Sequence, residues 1–364
     1  MFKEPIYVTK PTLAPLSDLQ PYLERIWSTG VMTHNGPLVQ QFERDFASWA
    51  GITKLVAVCN GTMAIQMAIK ALGLEGGEII TTPFTFIATL SAIQWERCVP
   101  VFVDIDPETL NIDPAKIEKK ITSKTLAILP VHVFGNPCEI EAIQTVAQKH
   151  GLKVIYDAAH AVGSTYKGKS LLAYGDIAAT SFHATKMLNT VEGGGCVTAN
   201  PDWDKALRAI RFYGFGASKD AERQGFNGKM TEVHAAVGLS NLKCLHAALD
   251  DRRQKYTLYH DILSRSGHLR FQRIDDGCNK SYFPVIFESE AQLLRVEKGL
   301  NVQNVFPRRY FYPSVNTFVK LVADQSCPVS EDISKRILCL PLYKDIDRET
   351  VTEIGRMLLT LMEG

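Results

Sequence analysis

The sequence predicts an α/β fold: a large domain on a mostly parallel seven-stranded sheet, then a smaller α+β domain at the C-terminus. Three observations carry this. Between residues 55 and 199, short β-branched apolar runs alternate with longer helix-like segments, the pattern of crossover connections and a sheet covered on both faces. Seven such runs fall in that stretch, enough for one large sheet. Beyond about residue 200 the pattern turns to long helices and then to short strands mixed with helices. A chain of 364 residues can bury one large core and a second small one, and the expected division is 1–245 and 246–364.

The runs, in order, are "LVAVCN" (55–60), "EIITTPF" (78–84), "VPVFVDI" (99–105), "TLAILPVH" (125–132), "KVIYDAA" (153–159), "IAATSFH" (177–183) and "GGCVTA" (194–199). Helix-like segments such as "TMAIQMAIKAL" and "EIEAIQTVAQKH" lie between them. The last two runs are joined by too few residues for an ordinary helix, so one strand is expected to be antiparallel. Then "PDWDKALRAIRFYG" reads as a helix closed by Gly214, and residues 231–265 read as one very long helix or two in sequence. "KSYFPVIFE" reads as a strand; "SEAQLLRVEKGL" and "RETVTEIGRMLLTLM" read as helices.

Composition narrows the function classes. A net charge of +1 offers no footprint for nucleic acid or an anionic membrane. No apolar stretch is long enough to span a bilayer, and "MFKEPIYVTKPTLAP" lacks the apolar core of a signal peptide. Eight cysteines are scattered without a C-x-x-C pair, which suits reduced thiols in the cytoplasm better than a disulfide framework or a zinc site. The histidines show no metal-ligand spacing, so no metal is expected.

In open α/β sheets, ligands sit beyond the carboxyl ends of the strands. Asn60-Gly61-Thr62 follows the first run: Gly61 permits a tight turn, and Thr62 could cap the next helix and hold an anion with its free amides. An ordinary capped loop would look the same. Asp157 follows the fifth run, where an acid needs a partner, although capping alone would also explain it. Ser181, His183 and Lys186 follow the sixth, and a lone loop lysine is ordinarily a solvated one. Together, an anion loop, an acid and a lysine at the ends of one sheet match the needs of pyridoxal phosphate. Its phosphate takes a helix N-terminus, its pyridine nitrogen a carboxylate and its aldehyde an amine. A lysine desolvated near other positive charge also has a depressed pKa, which suits a nucleophile and base.

"SFHATK…EGG", with "YDAAHAVGS", "NGT", "TTPFTFIAT", "VHVFGN" and "GFNGKMTEVHAAVGLSNL", resembles the DegT/DnrJ/EryC1/StrS family of sugar aminotransferases. The resemblance runs from "THNGPLVQQFE" to "YFYPSVN" and "CLPLYKD", nearly the whole chain. It implies fold type I, the aspartate-aminotransferase-like fold. It implies Lys186 as the Schiff-base lysine, Asp157 as partner of the pyridine nitrogen, and Gly61, Thr62 and Ser181 as phosphate contacts. It implies Phe86 stacked on the cofactor ring, His160 against the ring's other face, and Asn227 reaching the phosphate in a neighbouring subunit. A homodimer with shared active sites follows from that last role. Arg308, Arg309, Tyr310 and Tyr312, in "PRRYFYPS", are the candidates for substrate, and a surface charge pair is the plain alternative. The loop over 214–230 is expected to cross to the partner.

The implied activity moves an amino group from L-glutamate, through pyridoxal and pyridoxamine phosphate, to a nucleotide-linked 4-keto-6-deoxyhexose such as TDP-4-keto-6-deoxy-D-glucose. The wording around Lys186 favours C4 over C3. Surface-polysaccharide sugar biosynthesis is the implied setting. A cyclitol or aromatic keto substrate stays open, as does a non-catalytic regulatory or assembly subunit. Asp104 and Asp106 are expected in a turn, His132 as a structural histidine, and Trp27, Trp49, Trp95 and Trp203 in the core or a subunit interface.

Overall fold

The computed structural model describes residues 1–216 and 220–363. All seven expected runs form strands of one sheet: β1 (Leu55–Val58), β2 (Glu78–Thr81), β3 (Val99–Phe102), β4 (Thr125–Leu129), β5 (Lys153–Asp157), β6 (Ile177–Ser181) and β7 (Gly194–Val197). Their order across the sheet is β1-β7-β6-β5-β4-β2-β3. The pairs β2–β3, β2–β4, β4–β5 and β5–β6 are parallel. Strand β7 runs antiparallel to both β6 and β1, as the short connection before it requires.

Strand side chains alternate between two cores. Leu55, Ala57, Ile80, Ile128, Tyr156 and Ala178 face one, with Phe42, Phe46 and Ile143 of the helices Pro37–Ala50 and Ile140–His150. Val56, Val58, Ile79, Leu129, Ile155 and Ala179 face the other, with Ala64, Met67 and Ala68 of α1 (Gly61–Ala71) and Ile93 of α2 (Ile87–Trp95). This period of two explains why the strands read as unbroken apolar runs: both faces are dry.

The segment over 231–265 forms two helices, Glu232–Lys243 and Leu245–Leu263, broken at Cys244. Buried Glu232 caps another helix across the fold: its carboxylate accepts the N–H groups of Leu38 (2.8 Å) and Val39 (2.9 Å). The C-terminal strands Arg270–Phe271, Phe283–Ile286 and Ile337–Leu340 make a three-stranded antiparallel sheet with its own core, which includes Tyr259, Phe283, Val296 and Ile354. Near the N-terminus, Ile6–Tyr7 pairs with Val305–Phe306. A further cluster joins Phe84, Val131 and Phe134, beyond the strand ends, to Tyr282, Tyr310 and Phe311.

Some local expectations change. Asp106 makes the turn, accepting from Glu108 N (3.0 Å) and Thr109 N (2.7 Å). Asp104 instead caps the helix Pro328–Arg336, accepting from Val329 N and Ser330 N at 2.9 Å each. Trp27 and Trp95 stand exposed on this chain, which leaves the subunit-interface half of their expectation and removes the core half.

Candidate active site

A cavity of about 240 Å³ opens beyond the carboxyl ends of β1, β5 and β6. Gly61, Thr62, Phe86, Asp157, His160, Ser181, Lys186, Arg308 and Tyr310 all line it. Of the expected residues, Asn227, Arg309 and Tyr312 do not.

The floor is built by the turn from β1 into α1. Asn60, and not Thr62, is the N-cap: its side chain accepts the Met63 N–H at 2.8 Å. First-turn amides of a helix have no intrahelical acceptor, so Gly61 and Thr62, which line the cavity, carry amides available as donors. Gly61 is required by close approach, since a Cβ there would lie 2.8 Å from Ser181 Cβ. A Cβ on Gly194 would lie 2.4 Å from the Asn60 carbonyl carbon, which explains a glycine in the "EGG" run.

Asp157 ends β5, buried. Its Oδ2 accepts from Thr89 Oγ1 (2.8 Å) and its Oδ1 from Ala159 N (3.1 Å). Thr85 Oγ1 lies 2.7 Å from Thr89 Oγ1 and extends the network. Burial still raises the Asp157 carboxyl above its ordinary pKa, against the bonds from Thr89 and Ala159 and the charge of Lys186. Sequence reasoning missed both threonines; their signal was the i, i+4 spacing in "TFIAT", which puts them on one side of the start of α2.

Lys186 lies in the turn after β6, its N–H donating to the His183 carbonyl at 2.8 Å. Burial pushes its ammonium down to about 8; Asp157 opposes this and Arg308 adds to it. His160 is buried, stacked within 2° of parallel on Phe311 at 5.9 Å, with Tyr282 at 4.8 Å. Its Nδ1 has no hydrogen-bond partner among the described residues. Burial, then Lys186 and Arg308, lower its pKa well below the ordinary value, so the ring is neutral. Phe86 is 48% exposed and stands edge-on to Tyr310 at 6.4 Å.

Arg308 lies over the Tyr310 ring at 4.4 Å. Its neighbour turns away: Arg309 pairs with Glu290 at 2.5 Å, donates to the Lys335 carbonyl at 2.7 Å and stacks on Tyr312 at 3.5 Å. Successive residues of an extended segment face opposite sides, so one arginine of the pair reaches the cavity and the other serves packing. Asn227 is exposed, its side chain bonded to Lys229. Residues 217–219 of the loop expected to cross to a partner lie outside the described residues. His132 is structural: fully buried, stacked on Tyr156 at 4.6 Å, with Nδ1 accepting the Cys138 N–H at 3.1 Å.

The cavity thus joins an amide-lined anion cradle, a buried carboxylate, a neutral imidazole and a lysine with a lowered pKa. Known proteins share this chain's sequence and fold. The dTDP-4-amino-4,6-dideoxy-D-glucose transaminase of Shigella dysenteriae is 40% identical over 362 residues, 97% of this chain and 98% of that protein. The crystal structure of DesI in the presence of its TDP-sugar product superposes with a TM-score of 0.95 at 32% identity, covering 100% of this chain and 94% of that one. The structure of NtdA from Bacillus subtilis, with bound cofactor PMP, gives 0.89 at 28% identity, covering 98% and 86%. These neighbours bear out the fold-type-I architecture. The family model of the DegT/DnrJ/EryC1/StrS aminotransferases matches residues 17–359, and the chain belongs to that family.

Proposed function

We propose that this pyridoxal-phosphate-dependent aminotransferase carries the amino group of L-glutamate to C4 of a nucleotide-linked 4-keto-6-deoxyhexose such as TDP-4-keto-6-deoxy-D-glucose. The meeting of Lys186, Asp157 and the amide end of α1 in one cavity carries the reading. The Shigella relative and the TDP-sugar product in the DesI structure support the substrate.

The residues fit pyridoxal phosphate. The Gly61 and Thr62 amides, with the Ser181 hydroxyl, suit its phosphate. Asp157, buried and with no cation bonded to it among the described residues, suits a protonated pyridine nitrogen. Phe86 and His160 also line the cavity, which supports their places on either side of the cofactor ring in this reading. Bound there, the cofactor supplies an electron sink for the charge left when a proton leaves the amino-bearing carbon. Lys186 takes that proton and returns it on the other side of the exchange, a task suited to an amine with a pKa near neutrality. Arg308 is the cavity arginine available to a substrate anion.

A homodimer completes the site in this reading. Asn227 is exposed and does not line its own cavity, and Leu13, Leu16, Trp27, Met32, Val191 and Tyr213 are exposed apolar side chains. The division at 245/246 stays part of the proposal, supported by the helix break at Cys244. The proposed location is the cytoplasm, which the eight free cysteines support. The test is incubation of the holoenzyme with L-glutamate and a panel of keto substrates. Release of 2-oxoglutarate with a new amine at C4 of the sugar is expected. Amination at C3, or of a cyclitol alone, would replace the substrate assignment.

A further inference from the structure

Two cavity-lining side chains, His183 and Glu192, have no task in that reaction. They stand near the two ends of the segment that leaves β6, carries Lys186 and returns into β7. The Thr185 N–H donates to His183 Nδ1 at 3.3 Å, and Thr185 Oγ1 lies 2.8 Å from the same nitrogen. With Nδ1 accepting, a neutral imidazole carries its proton on Nε2. That nitrogen lies 3.7 Å from Glu192 Oε1, beyond hydrogen-bond reach. The wall therefore presents an unused donor beside an unused acceptor.

The backbone is arranged to hold them there. Val191 adopts φ +69°, a left-handed conformation that costs a β-branched residue about 1–3 kcal/mol and is typical of functional segments. The Asn189 side chain accepts its N–H at 3.3 Å, and the Thr190 hydroxyl donates to the Glu192 carbonyl at 2.7 Å. Behind Glu192, a Cβ on Gly193 would meet Thr190 Oγ1 at 2.1 Å, so the close approach there leaves room only for glycine. The bond from Lys186 N–H to the His183 carbonyl ties the backbone of His183 to that of the reacting lysine.

A donor beside an acceptor selects a hydroxyl, which accepts from one and donates to the other. A carboxylate or phosphate would meet the charge of Glu192, and an ammonium cannot accept from Nε2–H. Of the two substrates, the keto sugar has hydroxyls and the amino donor has none. We infer that His183 and Glu192 are the specificity pair for the sugar, binding the hydroxyl on the carbon next to the reacting carbonyl, and that they are idle while the amino donor occupies the cavity. The inference rests on the aminotransferase reading.

Separate half-reactions test it. The conversion of holoenzyme by L-glutamate alone is followed by absorbance; conversion back by the keto sugar nucleotide is followed in single turnovers. Glu192→Ala and His183→Ala should keep the glutamate step within about threefold; the sugar step should slow about 10- to 100-fold for Glu192→Ala, the loss of a hydrogen bond to a charged group, and about 10-fold for His183→Ala, the loss of a neutral one. A substrate lacking that hydroxyl should react equally slowly with wild type and variants, and calorimetry should show its aminated product binding wild type correspondingly more weakly than the full product. Equal use of deoxy and full substrates by wild type, or an equal loss in both half-reactions, would overturn the pairing. No glutamate step in wild type would instead remove the aminotransferase reading beneath it.

Discussion

Thr89 Oγ1 donates a 2.8 Å hydrogen bond to Asp157 Oδ2, tying the first turn of α2 to the carboxylate at the end of β5. Thr85, 2.7 Å from Thr89, backs this bond. The Thr89 bond favours the ionised form of this buried acid, against the larger desolvation effect that raises its pKa.

Thr89→Val removes the donor with little change of shape. The loss of one hydrogen bond to a charged group, about 1.5–3 kcal/mol, should slow the glutamate half-reaction about 10- to 100-fold. Thermal stability should move much less. An unchanged rate would detach Thr89 from the function of Asp157.

The lowered pKa of Lys186 sets a pH dependence. Only the neutral amine attacks a carbonyl, so uptake of pyridoxal phosphate by the cofactor-free protein should accelerate as pH rises to about 8 and then level off. Stopped-flow absorbance reads this. An inflection near the ordinary lysine value, above 10, would contradict the burial of the amine.

His132 is buried neutral, its pKa pushed down to about 3 by burial. Below its ordinary value of 6.5 the unfolded chain binds a proton there that the folded chain does not. Stability is therefore lost as pH falls from 6.5 towards 3, by about 1.4 kcal/mol per pH unit from this group. Urea unfolding between pH 7 and 5 should show a shallower loss for His132→Gln than for wild type. Parallel curves would remove His132 as the source.

Glu232 caps the helix Pro37–Ala50 from a buried position. Glu232→Ala leaves the amides of Leu38 and Val39 without their acceptor and should cost about 3 kcal/mol; Glu232→Gln, which keeps an acceptor, should cost about 1 kcal/mol. Denaturant midpoints measure both. Equal small losses would show that solvent reaches this helix end.

The main sheet was legible because its strands are dry on both faces and its glycines mark turns; even the antiparallel β7 followed from a short connection. The residues following β1, β5 and β6 were legible for the same reason: the strand order of a parallel sheet brings its carboxyl ends together. The caps were not. Whether Asn60 or Thr62 caps α1, and that Asp104 reaches across to Val329 and Ser330, depend on backbone angles and long-range contacts that spacing does not encode. Nor did "RRY" reveal which arginine faces the cavity; Glu290 and Tyr312 hold Arg309 away from it. Thr85 and Thr89 went unremarked, and Glu192 of the "EGG" run was given no role, because threonine and exposed glutamate carry little signal outside their three-dimensional setting.

The most direct measurement is borohydride reduction of the protein carrying pyridoxal phosphate, followed by mass mapping of the modified peptide. The account predicts loss of the visible absorption band, with the cofactor's mass on Lys186 and no turnover in Lys186→Ala. Labelling at another lysine, or sustained glutamate-dependent amination by Lys186→Ala, would contradict it.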